Sequence, residues 1–174
     1  MFKVLKKAIA ITTLSLAPFT AFAEEALKVE VYNPGEKSLF PVTSTLITGE
    51  SEALLVDAQF QNNDAEALVK MIKDSGKKLK AIFITHGDPD FYFGLETIKK
   101  SYPDVPVYAS EKTLEKIKAS AAGKLGFWGP KLGENAPTSV ILPEALTGDT
   151  FSIDDQEVKV VGLNGHDPKR IFVW

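Results

Sequence analysis

Two short segments of the sequence carry residue types that could do chemistry. Residues 85–94 read Thr-His-Gly-Asp-Pro-Asp-Phe-Tyr-Phe-Gly and place His86, Asp88 and Asp90 within five residues, directly after an apolar run. The chain has only two histidines, and the second, His166, also follows a strand-like run. Because functional sites are often built on loops at strand ends, these imidazoles and carboxylates predict a metal site.

Two histidines, a carboxylate and an open position form a known catalytic zinc set, which also suits non-haem iron. Alternate residues of a strand point the same way, so His86 and Asp88 can face one centre if strand geometry persists past Thr85. With His166 as the third ligand, the metal would lower the pKa of bound water to around 7. Asp90 would ligate a second ion, act as the base that orients the water, or support a histidine.

A plainer interpretation remains open for the same residues. Asp and Pro after a strand are ordinary turn formers, so residues 87–90 could be only a turn. In that case the chain has an unrelated α/β fold, and His86 and His166 lie far apart. The presence of a second Gly-His segment at another strand exit favours the metal site.

The first 23 residues have the composition of a secretory signal peptide. Three lysines precede a short apolar core at residues 8–16, and Ala21-Phe22-Ala23 matches a small-residue cleavage site. The core is too short to span a bilayer, which takes about 20 residues. We therefore expect one mature domain over residues 24–174, located in the periplasm or secreted, with no membrane attachment after cleavage.

Composition excludes several function classes. The chain has no cysteine, which rules out disulfides, thiolate ligands and a cysteine nucleophile. Removing the three leader lysines from the formal net charge of −3 leaves about −6, with no basic stripe. Nucleic acid is therefore not an expected partner, and a small-molecule substrate is. Nothing in the sequence indicates an oligomeric state.

Apolar periodicity predicts alternating strands and helices, which is typical of an α/β protein. A helix over residues 63–76 is predicted to begin with an Asn63/Glu66 capping box and to stop at Gly76. Further helices are predicted over 93–102 and from Ser110 to 121, followed by a loop over 123–137. The predicted strands are 27–32, 43–48, 53–57, 79–85, 105–109, 139–142, 148–153, 157–163 and 170–174.

The segment Thr85-His86-x-Asp88-x-Asp90-Phe91-x-x-Gly94 resembles the T-H-x-H-x-D-H-x-x-G signature of the metallo-β-lactamase superfamily. The apolar hairpin that ends in Asp57 and the Gly-Asp to Gly-His segment over 148–166 are similar to family features in the same order. The resemblance implies an αββα sandwich and a hydrolase of the zinc-dependent hydrolase or glyoxylase type. It would use a metal-activated water on an ester, lactone, thioester or amide carbonyl.

The sequence departs from this signature at two positions. Asp88 and Phe91 stand where the signature has histidines. Asp88 is an acceptable oxygen ligand, but Phe91 cannot ligate, which argues for one ion or for weak binding of a second. The departures leave an alternative, a degenerate member that binds a ligand without hydrolysis. Asp57 is expected to order nearby loops and not to touch the metal.

The family resemblance also bears on completeness. In this family, the last two metal ligands follow the third ligand, which corresponds to His166, along the chain. This chain ends eight residues after His166. We therefore expect a fragment that holds about the first half of the sandwich with its connecting strands.

Overall fold

A computed structural model describes residues 26–163 and 171–174. The predicted signal peptide and His166 lie outside these described residues. Six strands between residues 28 and 145 form one mixed sheet, in which the first three strands are antiparallel and the next three join the sheet in parallel. Its strands, in spatial and sequence order, are β1 (Lys28–Tyr32), β2 (Ser44–Thr48), β3 (Glu52–Val56), β4 (Lys78–Ile84), β5 (Val107–Ala109) and β6 (Glu144–Ala145).

Three helices connect the parallel strands: α1 (Asn62–Ser75), α2 (Leu95–Ser101) and α3 (Glu111–Leu132). The predicted stop of α1 is confirmed, because Gly76 adopts a left-handed conformation with φ 66°. The predicted capping box is wrong: the N-cap is Gln61, and its amide oxygen accepts hydrogen bonds from Ser38 and Leu39. Among residues 26–163 and 171–174, none of the helices combines the length and the hydropathy that a transmembrane span requires.

The predicted loop over residues 123–137 is wrong for its first part, because α3 continues to Leu132 through three glycines and Pro130. Trp128 explains the continuation, since it packs edge-on against Phe40 and Phe60 with ring centroids 5.2 and 5.6 Å away. Tertiary packing of this kind overrides weak helix propensity. The strand predicted at 139–142 is also wrong, and a short strand forms at β6 instead.

A second, antiparallel sheet packs against the first. Alternation along β3 shows the layering: Ala53 and Leu55 face the helices, whereas Leu54 and Val56 face the second sheet. Phe83 of β4 contacts Phe151 of the second sheet at 5.6 Å between centroids. Helices, sheet and sheet therefore stack in layers, which confirms the predicted α/β sandwich. The second sheet consists of β7 (Thr150–Ile153), β8 (Gln156–Val161) and β9 (Phe172–Val173).

Candidate active site at the carboxyl ends of β3 and β4

Asp57 directly follows β3 and anchors the end of β4. Its φ of 63° is a left-handed conformation that aspartate tolerates better than most residues. The buried carboxylate accepts hydrogen bonds from the backbone N–H of Thr85 at 2.8 Å and from its hydroxyl at 2.7 Å. Burial raises the pKa of Asp57 to about 7, although the bonds from Thr85 counteract part of the rise. Asp57 thus orders the loop after β4, as the sequence predicts.

Thr85 connects Asp57 to His86. Its hydroxyl oxygen lies 2.6 Å from Nδ1 of His86. Because the single hydroxyl hydrogen of Thr85 is donated to Asp57, the network assigns the Nδ1–H of His86 as donor to Thr85. Nε2 of His86 is then left with its lone pair for a ligand or a proton. Phe91 covers one face of the imidazole, with centroids 4.4 Å apart and planes inclined by 23°.

The strand geometry does not persist past Thr85. β4 ends at Ile84, and Asp88 begins a short 3₁₀ turn over Pro89–Phe91. Continued strand geometry, the condition for His86 and Asp88 to face one centre, is therefore not met.

The carboxylate of Asp88 lies against two lysines of α3. Lys116 Nζ is 2.9 and 3.1 Å from its two oxygens, and Lys124 Nζ is 3.2 Å from one of them. Partial burial alone would raise the pKa of Asp88, but the lysines outweigh burial and hold the pKa below its usual value. Asp88 is a metal ligand in the sequence-based prediction, and neither lysine is a predicted partner of it.

Asp90 is in a different electrostatic environment from Asp88. Burial raises the pKa of Asp90 and the charge of Asp88 raises it further, whereas a backbone hydrogen bond and the nearby His86 and Lys124 lower it without cancelling the rise. No lysine or arginine forms an ion pair with Asp90 among residues 26–163 and 171–174. A half-buried carboxylate without a paired cation is stabilised by any cation that approaches it.

Two cavities meet at Phe91. The larger, about 610 Å³, has Asp57, Thr85 and His86 at its polar end. A smaller cavity, about 340 Å³, holds Asp88 and Asp90. The larger cavity is a cleft between the edges of the two sheets, and its remaining wall is mostly apolar: Leu27, Val29, Thr45, Ile47, Val56, Phe91, Glu157, Val158, Ile171, Phe172, Val173 and Trp174.

Two side chains of this loop have the chemistry of metal ligands. His86 presents a free Nε2, and Asp90 lacks a cationic partner in the described part of the chain. Within that part, no group of three His, Cys, Asp or Glu side chains could hold a metal. A metal site of three protein ligands would need a donor outside the described ranges, where the predicted ligand His166 lies. The predicted ligands His86, Asp88, Asp90 and His166 stay predictions.

Sequence comparison identifies the family. Residues 38–174 match the model of the metallo-beta-lactamase superfamily, so the chain belongs to this superfamily, as its sequence predicts. It is also 31% identical over 75 residues to an uncharacterized Bacillus subtilis protein, YobT. That match covers 43% of this chain and 32% of YobT, so it spans about a third of the relative's length.

Solved structures show the same fold at low identity. The chain is similar to BLEG-1, a B3 metallo-beta-lactamase, with a TM-score of 0.61 and 19% identity over 84% of this chain and 66% of BLEG-1. It is also similar to FEZ-1 metallo-beta-lactamase from Legionella gormanii, with a TM-score of 0.55 and 16% identity over 75% of this chain and 50% of FEZ-1. At such identities the likeness concerns the fold alone.

Proposed function

We propose that this chain belongs to an exported metal-dependent hydrolase that cleaves an ester, lactone, thioester or amide. The observation that carries the proposal is the Asp57–Thr85–His86 arrangement, which holds one imidazole at the polar end of a cleft of about 610 Å³. Membership of the metallo-beta-lactamase superfamily supports a hydrolytic activity. The leader-like residues 1–23 support a location in the periplasm or outside the cell.

Zinc is the metal we propose, and iron suits the same ligands. When bound, such an ion lowers the pKa of water to around 7 and polarises a carbonyl oxygen. His86 and His166 would supply the imidazoles, and Asp88 and Asp90 are the oxygen donors of the loop. Asp57, acting through Thr85, keeps Nε2 of His86 available for this purpose.

Asp90 would serve as the base. Its carboxylate would orient the attacking water and accept its proton. The apolar walls of the cleft would exclude other water and receive an apolar part of the substrate. A small molecule, and not a nucleic acid, is the proposed partner.

The test uses the mature full-length protein and p-nitrophenyl esters of increasing acyl length, with lactone, thioester and amide substrates beside them. We expect the protein to hydrolyse at least one of these substrates and to lose the activity when a chelator is added. His86→Ala and Asp90→Asn should each reduce the activity at least 100-fold. The KM for the esters should fall as the acyl chain grows. Lys112→Ala, on the exposed start of α3, is the control. Hydrolysis that persists unchanged in the His86→Ala protein would contradict the proposal.

A second function is favoured by the stack of Phe91 on His86. In this alternative, the chain binds an apolar small molecule in the cleft without hydrolysis. Metal-free protein that binds a fluorescent fatty-acyl probe equally well with and without His86→Ala, and that hydrolyses none of the substrates, would support it.

A further inference from the structure

The Asp88 carboxylate is held by two ammonium groups. Lys116 donates to both of its oxygens, and Lys124 donates to one of them. One carboxylate between two lysines leaves a net positive charge at this point. A divalent cation that used Asp88 would therefore have to break these bonds and approach two ammonium groups.

Packing builds this arrangement into the fold. Lys124 also donates to the backbone carbonyl of Gly87 at 2.7 Å, and its side chain is 21% exposed. A Cβ atom at Gly87 would lie 2.8 to 3.0 Å from the methylene carbons of Lys116, so glycine lets this lysine pass close to the backbone. The lysines thus contact both the backbone and the side chain of the loop.

The helix that carries the lysines is fixed to the same strand end. Ser110 caps α3 by accepting from the backbone N–H of Thr113 at 3.1 Å. The hydroxyl of Thr113 donates to the carbonyl of Thr85 at 3.4 Å. Helix α3 therefore contacts both Thr85 and Asp88. These contacts restrict the movement of the Asp88 side chain away from the two lysines.

We propose that Lys116 and Lys124 are positioning residues that keep Asp88 as their own counter-ion, so that Asp88 is not available as a metal ligand. This inference rests on the proposed function for the metal and removes Asp88 from the proposed ligands. The lysines also hold the loop in place when no metal is bound.

Cobalt(II) affinity of the metal-free, mature full-length protein tests the assignment, with a chelator in competition and the visible spectrum as a record of the ligands. We expect Asp88→Asn to change the affinity less than threefold. The Lys116→Met/Lys124→Met pair should raise it at least tenfold by freeing Asp88, and adding Asp88→Asn should remove that gain. The Lys112→Met/Lys118→Met pair, exposed on the same helix, should match the wild type.

Two results would overturn the proposal. One is a tenfold or greater loss of cobalt affinity in the Asp88→Asn protein, which would make Asp88 a ligand. The other is an unchanged or weaker affinity after both lysines are replaced. Replacement of both lysines by arginine should restore wild-type affinity, because arginine keeps the charge and the donors.

If none of the proteins binds cobalt, the proposed function fails, and hydrogen exchange then decides the positioning role by itself. In the metal-free protein, exchange at the backbone amides of residues 86–88, 90 and 91 should be at least tenfold faster after Lys116→Met/Lys124→Met than after the control pair. Equal exchange in the two proteins would overturn the positioning role as well.

Discussion

The carboxylate of Asp57 binds Thr85 twice, through the backbone N–H at 2.8 Å and the hydroxyl at 2.7 Å. The two residues end neighbouring parallel strands, so the pair joins β3 to β4 at the edge where His86 emerges. The contact is buried, so both its hydrogen bonds and the charge of Asp57 affect the stability of the protein.

Thr85→Val keeps the shape of the side chain and removes its hydroxyl. Asp57 then loses one donor, and Nδ1 of His86 loses its acceptor. We expect the free energy of unfolding to fall by about 1–3 kcal/mol, because a buried polar group is left unpaired. Urea denaturation of the metal-free protein measures the loss. Thr85→Ser should stay within about 1 kcal/mol of the wild type, and equal losses in both variants would exclude the hydroxyl as the cause.

Asp57→Asn tests the raised pKa. An unfolded aspartate titrates near pH 3.9, whereas the pKa of folded Asp57 is about 7. Between these two pH values the folded state binds a proton at Asp57 that the unfolded state does not. The stabilisation from this proton is complete below about pH 4 and is lost as the pH rises through 7. Asparagine carries no charge at either extreme, so its contribution does not change with pH.

Chemical denaturation of the metal-free proteins at pH 5 and pH 8 checks this sign. Relative to the wild type, the Asp57→Asn protein should gain about 2–3 kcal/mol of stability between pH 5 and pH 8, because two pH units of that interval lie below the folded pKa. A difference that is the same at both pH values would show that Asp57 does not titrate between them.

Gly94 supports the site by close packing between α1 and the loop after β3. A Cβ atom there would lie 2.0 Å from the carbonyl oxygen of Ala58 and 2.7 Å from Cβ of Ala65. We expect Gly94→Ala to lower the free energy of unfolding by at least about 1–3 kcal/mol through overpacking.

Gly126→Ala is the matched control for Gly94→Ala. Gly126 lies in α3, and no neighbouring atom of the described residues comes within 4 Å of the position that a Cβ atom would take there. Alanine at this position should stabilise the protein by about 0.5–1 kcal/mol, since glycine is the weaker helix former. Opposite signs for the two variants in the same urea titration are the expected result, and a loss of stability in both would contradict the packing argument.

Much of the fold follows from local sequence patterns. The apolar run at 53–57 and the buried strand at 79–85 correspond to β3 and β4, because runs of Val, Leu, Ile and Phe suit strands covered on both faces. The stop at Gly76 follows from its freedom to adopt positive φ. The extension of α3 could not be predicted locally, because Trp128 meets Phe40 and Phe60 across long sequence separations.

The candidate site, like the fold, follows only in part from local sequence patterns. The position of His86 at a strand end follows from the sequence, as does the ordering role of Asp57. The partners of Asp88 do not, because Lys116 and Lys124 lie 28 and 36 residues away on another element. Within a pattern of alternating Lys and Glu, Lys116 is indistinguishable from a solvated residue, and only the placement of α3 shows its contact.

Metal content is the most direct test of the central claim that this chain's histidines form a metal site. Elemental analysis of the mature full-length protein should find one zinc or iron per chain, and the metal should be lost in both the His86→Ala and the His166→Ala proteins. Absence of stoichiometric metal from the wild type, or full retention of the metal in both variants, would contradict the account.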